Sequence, residues 1–177
     1  MNVFHLHLGA QVRCLDGLCG KLSHIILNPI TKKVTGLIVT EGFLKPKARI
    51  FPLSTVIYTT PDEIHLSLCL EDLPNHGEYR EKTFVRLLAN SHGRLELLDK
   101  NTLVENSDGL IGRLSQLNIH PQTHQIKLLK VQQGFLFPEY LNVPASFVQS
   151  IKHHTICLSL PYQALDNFKR QPQQYAW

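Results

Sequence analysis

Apolar residues in this chain recur with a period of two in short runs separated by turn residues, the alternation of strands that bury one face. Ile25 and Leu27 alternate with His24 and Ile26, and after the Pro29–Lys33 turn Leu37 and Val39 alternate with Gly36 and Ile38. The pattern predicts strands over residues 20–28 and 34–40, then short strands ending at Phe51-Pro52, through Val56–Tyr58 and over Ile64–Leu68. The same series returns further along: residues 112–120, 126–132, the Val143-Pro144 step, Val148–Ser150 and Ile156–Leu160.

The recurrence is a duplication. At the single offset that carries Asp16-Gly17-Leu18 onto Asp108-Gly109-Leu110, Gly20 falls on Gly112 and Leu22-Ser23 on Leu114-Ser115. Pro29 meets Pro121, Gly42-Phe43-Leu44 meets Gly134-Phe135-Leu136, and Leu66-Ser67-Leu68 meets Leu158-Ser159-Leu160. A repeat of this kind marks a tandem architecture, so the expected organisation is a first copy over 1–73, a linker over 74–93, a second copy over 94–165 and a polar tail over 166–177. Asp-Gly between apolar runs predicts a type I′ hairpin turn in each copy. Leu22 and Leu114 fall out of phase with the inward alternation, and a β-bulge at Ser23-His24 and at Ser115-Gln116 restores it. Five or six short strands per copy read as a small β-barrel, giving an all-β chain of two such units.

Each copy resembles the PRC-barrel domain family. The resemblance is carried by Val12-Arg13-Cys14-Leu15-Asp16-Gly17-Leu18-Cys19-Gly20-Lys21-Leu22 and by Val104-Glu105-Asn106-Ser107-Asp108-Gly109-Leu110-Ile111-Gly112-Arg113-Leu114, each followed by a Pro-x-Thr turn and an apolar-Pro step. It covers residues 5–73 and 97–165. The family includes the cytoplasmic domain of the photosynthetic reaction-centre H subunit and the C-terminal domain of a ribosome maturation factor. The resemblance implies two tandem PRC-like barrels, cytoplasmic, acting as a non-catalytic adaptor or scaffold for another protein, with a membrane-associated or photosynthetic complex as the setting.

Composition adds limits. Hydrophobic residues make up 43% and charged residues 18%, the balance of a folded chain. The net charge of +4 is dispersed with no Lys/Arg run, which gives little support to nucleic-acid binding. The only basic-aromatic cluster is Phe43 with Lys45, Lys47 and Arg49, and it carries the alternative reading of an RNA- or ribosome-associated module. No apolar stretch is long enough for a membrane span, and the first residues have no secretory pattern, so a cytoplasmic location is expected.

Ten histidines lack Asp, Glu or Cys at ligand spacing, and no His is kept between the copies, so no metal is expected. No nucleophile elbow or phosphate-binding glycine array is present, so no cofactor and no enzymatic activity are expected. Cys14 and Cys19 flank the Asp16-Gly17 turn and face each other across two strands, either as a disulfide or as two buried reduced thiols. Copy two has Asn106 and Ile111 there, so the fold itself requires no bridge.

Two features are candidates for protein binding. Ile26 and Ile38 form an outward apolar pair, Asn118 and Lys130 in copy two; they either meet a partner (a second copy of the chain included) or are covered within the chain. The loops holding Phe43-Leu44 and Phe135-Leu136 either plug the barrel or present apolar side chains to a partner, and copy two adds Phe137 and Tyr140.

Overall fold

A computed structural model describes residues 3–42, 46–80, 95–134 and 136–169. It is predominantly β, with two seven-stranded sheets. The strands from copy one are β1 (Phe4–His7), β2 (Gln11–Arg13), β3 (Leu18–Asn28), β4 (Lys33–Glu41), β5 (Lys47–Pro52), β6 (Val56–Thr59) and β7 (Glu63–Leu66). Copy two supplies β8 (Glu96–Leu98), β9 (Leu103–Asn106), β10 (Gly109–Ile119), β11 (Ile126–Gln133), β12 (Glu139–Pro144), β13 (Val148–Lys152) and β14 (Thr155–Leu158).

Sheet one runs β5-β4-β3-β2-β7-β6 and sheet two runs β12-β11-β10-β9-β14-β13, the same order twice. The remaining strand of each sheet comes from the other copy. β1 pairs antiparallel with β10, Leu6 opposite Leu117, and β8 pairs antiparallel with β3, Leu98 opposite Ile25. β1 and β8 are equivalent under the repeat, so the two copies exchange their first strands reciprocally.

The long strands β3 and β10 make this possible. The first half of β3 pairs with β2 and the second half with β8; β10 divides in the same way between β9 and β1. Between the halves lie the bulges expected from the sequence, with register shifts at Leu22/His24 and Leu114/Gln116. A bulge bends its strand, and here it turns each half toward a different neighbour. The chain crosses from sheet two to sheet one at Gly9, whose φ of +92° is in the region glycine adopts without strain. The copy-two crossover, Asp99–Thr102, is closed instead by side chains: Asp99 N–H donates to Thr102 Oγ1 at 2.9 Å and Asn101 N–H to Asp99 Oδ1 at 2.9 Å.

A second reciprocal contact joins the copies where their β-turns meet. Val34 N–H donates to His124 O at 3.0 Å and Ile126 N–H to Lys32 O at 3.1 Å, and these two bonds exchange places under the repeat. Lys32 and His124 both have positive φ, 54° and 60°. Leu6, Leu98, Leu37, Leu129 and their neighbours form one continuous core drawn from both copies. Units of about 70 residues are close to the lower limit for independent stability, and a shared core relieves that limit.

Some local expectations are corrected. In the hairpins the turns centre one residue earlier than Asp-Gly: Cys14 N–H donates to Gly17 O at 2.8 Å, and Asn106 pairs with Gly109. Neither Asp16 nor Asp108 has positive φ, so these are not type I′ turns. The aspartates act as anchors instead, accepting from Leu70 N–H and Tyr162 N–H at 2.8 Å each and fastening the 3-10 segments Leu70–Asn75 and Tyr162–Phe168 over the hairpins. His153 and His154 form the β13–β14 turn, with φ of 48° and 59°. The expected tail begins inside folded structure, because Leu165 is buried and Phe168 packs edge-on against Phe147 at 5.6 Å.

Gly20 and Gly112 are kept for want of space. A Cβ on Gly112 would lie 2.2 Å from the Gln132 carbonyl oxygen, and one on Gly20 2.4 Å from that of Thr40. The obstacle is the backbone of the next strand, so Gly112→Ala is expected to cost about 1–3 kcal/mol, read as a lowered urea midpoint at unchanged m-value.

Candidate functional site

The hairpin β9–β10 and the loop β11–β12 lie together at one end of sheet two, because β10 and β11 are paired and Gln133 Nε2 donates to Ile111 O at 3.1 Å. Gly134 starts the loop with φ of +72°, and a Cβ there would come within 3.0 Å of the Phe137 carbonyl oxygen. That tight return leaves the Leu136 and Phe137 side chains facing outward. Leu136 is 81% exposed and Phe137 88% exposed. A barrel plug is excluded for both.

The surroundings extend the apolar surface. Leu110 at the hairpin is 63% exposed, and Tyr162, anchored by Asp108, is 58% exposed. A cavity of about 490 Å³ opens beside the loop, lined by Leu110, Ile111, Gly134 and Tyr140, with Lys100 and Arg113 among its polar residues. Tyr140 is half-buried, with Lys130 Nζ 4.6 Å from its ring centroid. Burying a phenyl ring and an isobutyl group stabilises a complex by roughly 1.5–3 kcal/mol each, so this end is built to gain from contact.

Copy one repeats part of this surface. Leu18 and Leu70, the counterparts of Leu110 and Tyr162, are exposed, and Leu15 is exposed beside them. The sequence reading assigned Leu18 and Leu110 no role, although their identity across the repeat was the available signal. Phe43, Leu44 and Phe135 lie outside the described residues.

Ile26 and Ile38 are not surface residues: of the two readings, cover within the chain is the one the packing shows, and they are withdrawn as docking candidates. They are buried beneath Tyr79, Leu95 and Leu97, with Ala48 and Ile50 alongside. The linker reaches them by pairing with β5: Ile50 N–H donates to Gly77 O at 3.0 Å and Tyr79 N–H to Ala48 O at 2.7 Å. The linker and the exchanged strand β8 together provide the cover.

The basic cluster is also altered by packing. Arg49 forms an ion pair with Glu41 at 2.7 Å and donates to His76 O, which holds its guanidinium against the fold rather than toward a phosphate.

Comparison of the chain with protein-family models and with curated proteins finds no match in either. The geometry stands by itself. Among the described residues, no group of three or more His, Cys, Asp and Glu is placed to hold a metal ion. No described helix is long and apolar enough to cross a membrane.

Cys14 and Cys19 are free and buried. Burial, followed by the neighbouring Cys14, pushes the Cys19 thiol up to about 12; burial also raises Cys14. The thiolate is the nucleophile, so both are expected to resist alkylation by iodoacetamide at pH 8 and to react once urea unfolds the chain. Because folding favours the neutral thiol, the Cys19 contribution to stability is complete below pH 9 and is lost as pH rises toward 12. A falling urea midpoint across that range, reduced in Cys19→Ala, checks the sign.

Proposed function

We propose that the chain is a non-catalytic adaptor of two PRC-like barrels that binds a partner protein through the Leu110/Leu136/Phe137 end of copy two. The observation that carries this is the exposure of Leu136 and Phe137 on a tight, glycine-started loop beside an apolar-edged cavity. Large apolar side chains held out at a loop tip have a transfer cost that contact with another surface removes. The resemblance of each copy to the PRC-barrel family supports a role in assembly and a cytoplasmic location, next to a membrane-associated complex.

The test is affinity capture of the tagged chain from its native extract, with and without nuclease, beside Leu136→Ser/Phe137→Ser. A defined protein retained after nuclease and lost in the variant supports the adaptor. Recovery that disappears with nuclease, and falls steeply with salt, transfers the role to RNA and overturns it.

A further inference from the structure

The β3–β4 turn and the β10–β11 turn are equivalent under the repeat and are closed by the same bonds from different side chains. In copy one Asn28 Oδ1 accepts from Ile30 N–H and Thr31 N–H, 3.0 Å each. In copy two the equivalent residue is His120, and its Nδ1 accepts from the equivalent donors, Gln122 N–H at 3.2 Å and Thr123 N–H at 3.3 Å. An amide does not titrate near neutral pH, so Asn28 accepts throughout. An imidazole nitrogen accepts only while it is unprotonated, and acceptance by Nδ1 places the neutral ring's single proton on Nε2.

The His120 turn forms one side of the seam between the copies. Within it His124 N–H donates to His120 O and His120 N–H to Gln125 O, 2.9 Å each. From it run the two bonds to copy one, Val34 N–H to His124 O and Ile126 N–H to Lys32 O. Ile119, the residue before His120, lies opposite Phe4 of the exchanged strand β1. The backbone that His120 caps is therefore the backbone that holds the second copy to the first.

Proton uptake reverses the cap. A ring N–H then points at two backbone N–H groups, so two hydrogen bonds are lost and donors face a donor. The surroundings offer the new cation no ion pair. The elements around the turn are the copy-one turn, with Lys33 opposite Gln125, and strands β1, β11 and β6, the last beside Pro121. The titratable and charged groups they bring to this end are Lys32, Lys33, His5, Tyr58 and Lys127, with His124 in the turn itself. No carboxylate stands among these described residues.

We propose that His120 is a pH-sensitive latch on the junction of the two copies: neutral, it closes the β10–β11 turn against copy one, and protonated, it releases that turn. Imidazole side chains exchange their proton between pH 5 and 8, so the junction is tight at the upper end of that range and loosens as pH falls through it. The copy-one turn, capped by Asn28, stays closed throughout. The latch lies at the opposite end of β10 from Leu110 and does not depend on partner binding there.

The experiment is NMR on the full chain between pH 8 and pH 5. At pH 8 the His120 ring nitrogens are expected to report the Nε2–H tautomer. Amide protection at Gln122, Thr123, Val34 and Ile126, corrected for the intrinsic pH dependence of exchange, is expected to fall about tenfold or more by pH 5, the loss of two ordinary hydrogen bonds. Ile30 and Thr31 keep theirs. His120→Asn, which installs the residue copy one already uses, is expected to retain the pH 8 backbone spectrum and abolish most of the fall. Asn28→His is expected to bring the acid response to Ile30 and Thr31. An Nδ1–H tautomer in the unmodified chain at pH 8 overturns the proposal. So does an equal loss of Val34 and Ile126 protection in His120→Asn, which would assign the acid response to other histidines.

Discussion

Phe137→Ser combined with Leu136→Ser is expected to weaken partner capture by about thirtyfold or more and to leave the urea unfolding midpoint unchanged. Buried aromatic anchors at an interface centre cost about 2 kcal/mol or more on truncation, which is about thirtyfold in affinity. In the free protein both side chains are already in water, 81% and 88% exposed, so removing them takes nothing from the core. Surface changes of that kind stay within about 0.5 kcal/mol of neutral. Binding and stability therefore separate. Parallel binding isotherms and urea titrations on the same preparations check the pair of outcomes. A fall in stability equal to the fall in binding would place the loop in the fold and withdraw it as a docking surface. Leu110→Ser at the adjoining hairpin extends the test, with a smaller loss expected because Leu110 is less exposed.

Leu98→Ala is expected to destabilise both halves of the molecule together, by about 2–5 kcal/mol, without creating a separate transition for either half. Leu98 belongs to copy two in sequence, yet it is fully buried opposite Ile25 in sheet one. Shortening it leaves a cavity in a core that both copies share. If each copy were self-contained, the loss would fall on copy two and leave copy one folded. Hydrogen exchange of the β4 and β11 amides distinguishes the cases: the exchange of strands requires protection to fall in both strands by the same free energy. Loss confined to β11 would mean that the halves fold separately. Leu6→Ala is the mirror experiment, since Leu6 is fully buried opposite Leu117.

The local pieces of the fold were legible because short-range physics decides them. Period-two alternation marked β3, β4, β10 and β11, and the phase slip at Leu22 and Leu114 located both bulges, since an extra residue reverses which side chains face inward. The repeat also established which loop merits attention, because Gly42-Phe43-Leu44 and Gly134-Phe135-Leu136 appear twice where neighbouring positions diverge. The direction of Leu136 was not legible. A loop residue points inward or outward according to the φ of Gly134 and the close approach of Phe137, which no hydrophobic pattern encodes.

Long-range pairing was the other hidden quantity. On their inward faces β1 and β8 fit either β3 or β10, because Leu6 and Leu98 are equivalent under the repeat, as are Ile25 and Leu117. Only the tertiary arrangement, through the crossovers at Gly9 and Asp99–Thr102, chooses the partner. That choice then determines the chemistry of each outer face. Leu97 joins Ile26 and Ile38 to make one face apolar and covered, and His5 joins Asn118 and Lys130 to make the other polar. The sequence by itself determined the strands, their duplication and their inward faces, because these follow from neighbours a few residues apart. Which copy completes which sheet, and so the chemistry of each outer face, depends on contacts about 70 to 115 residues apart in the chain, which no local pattern encodes.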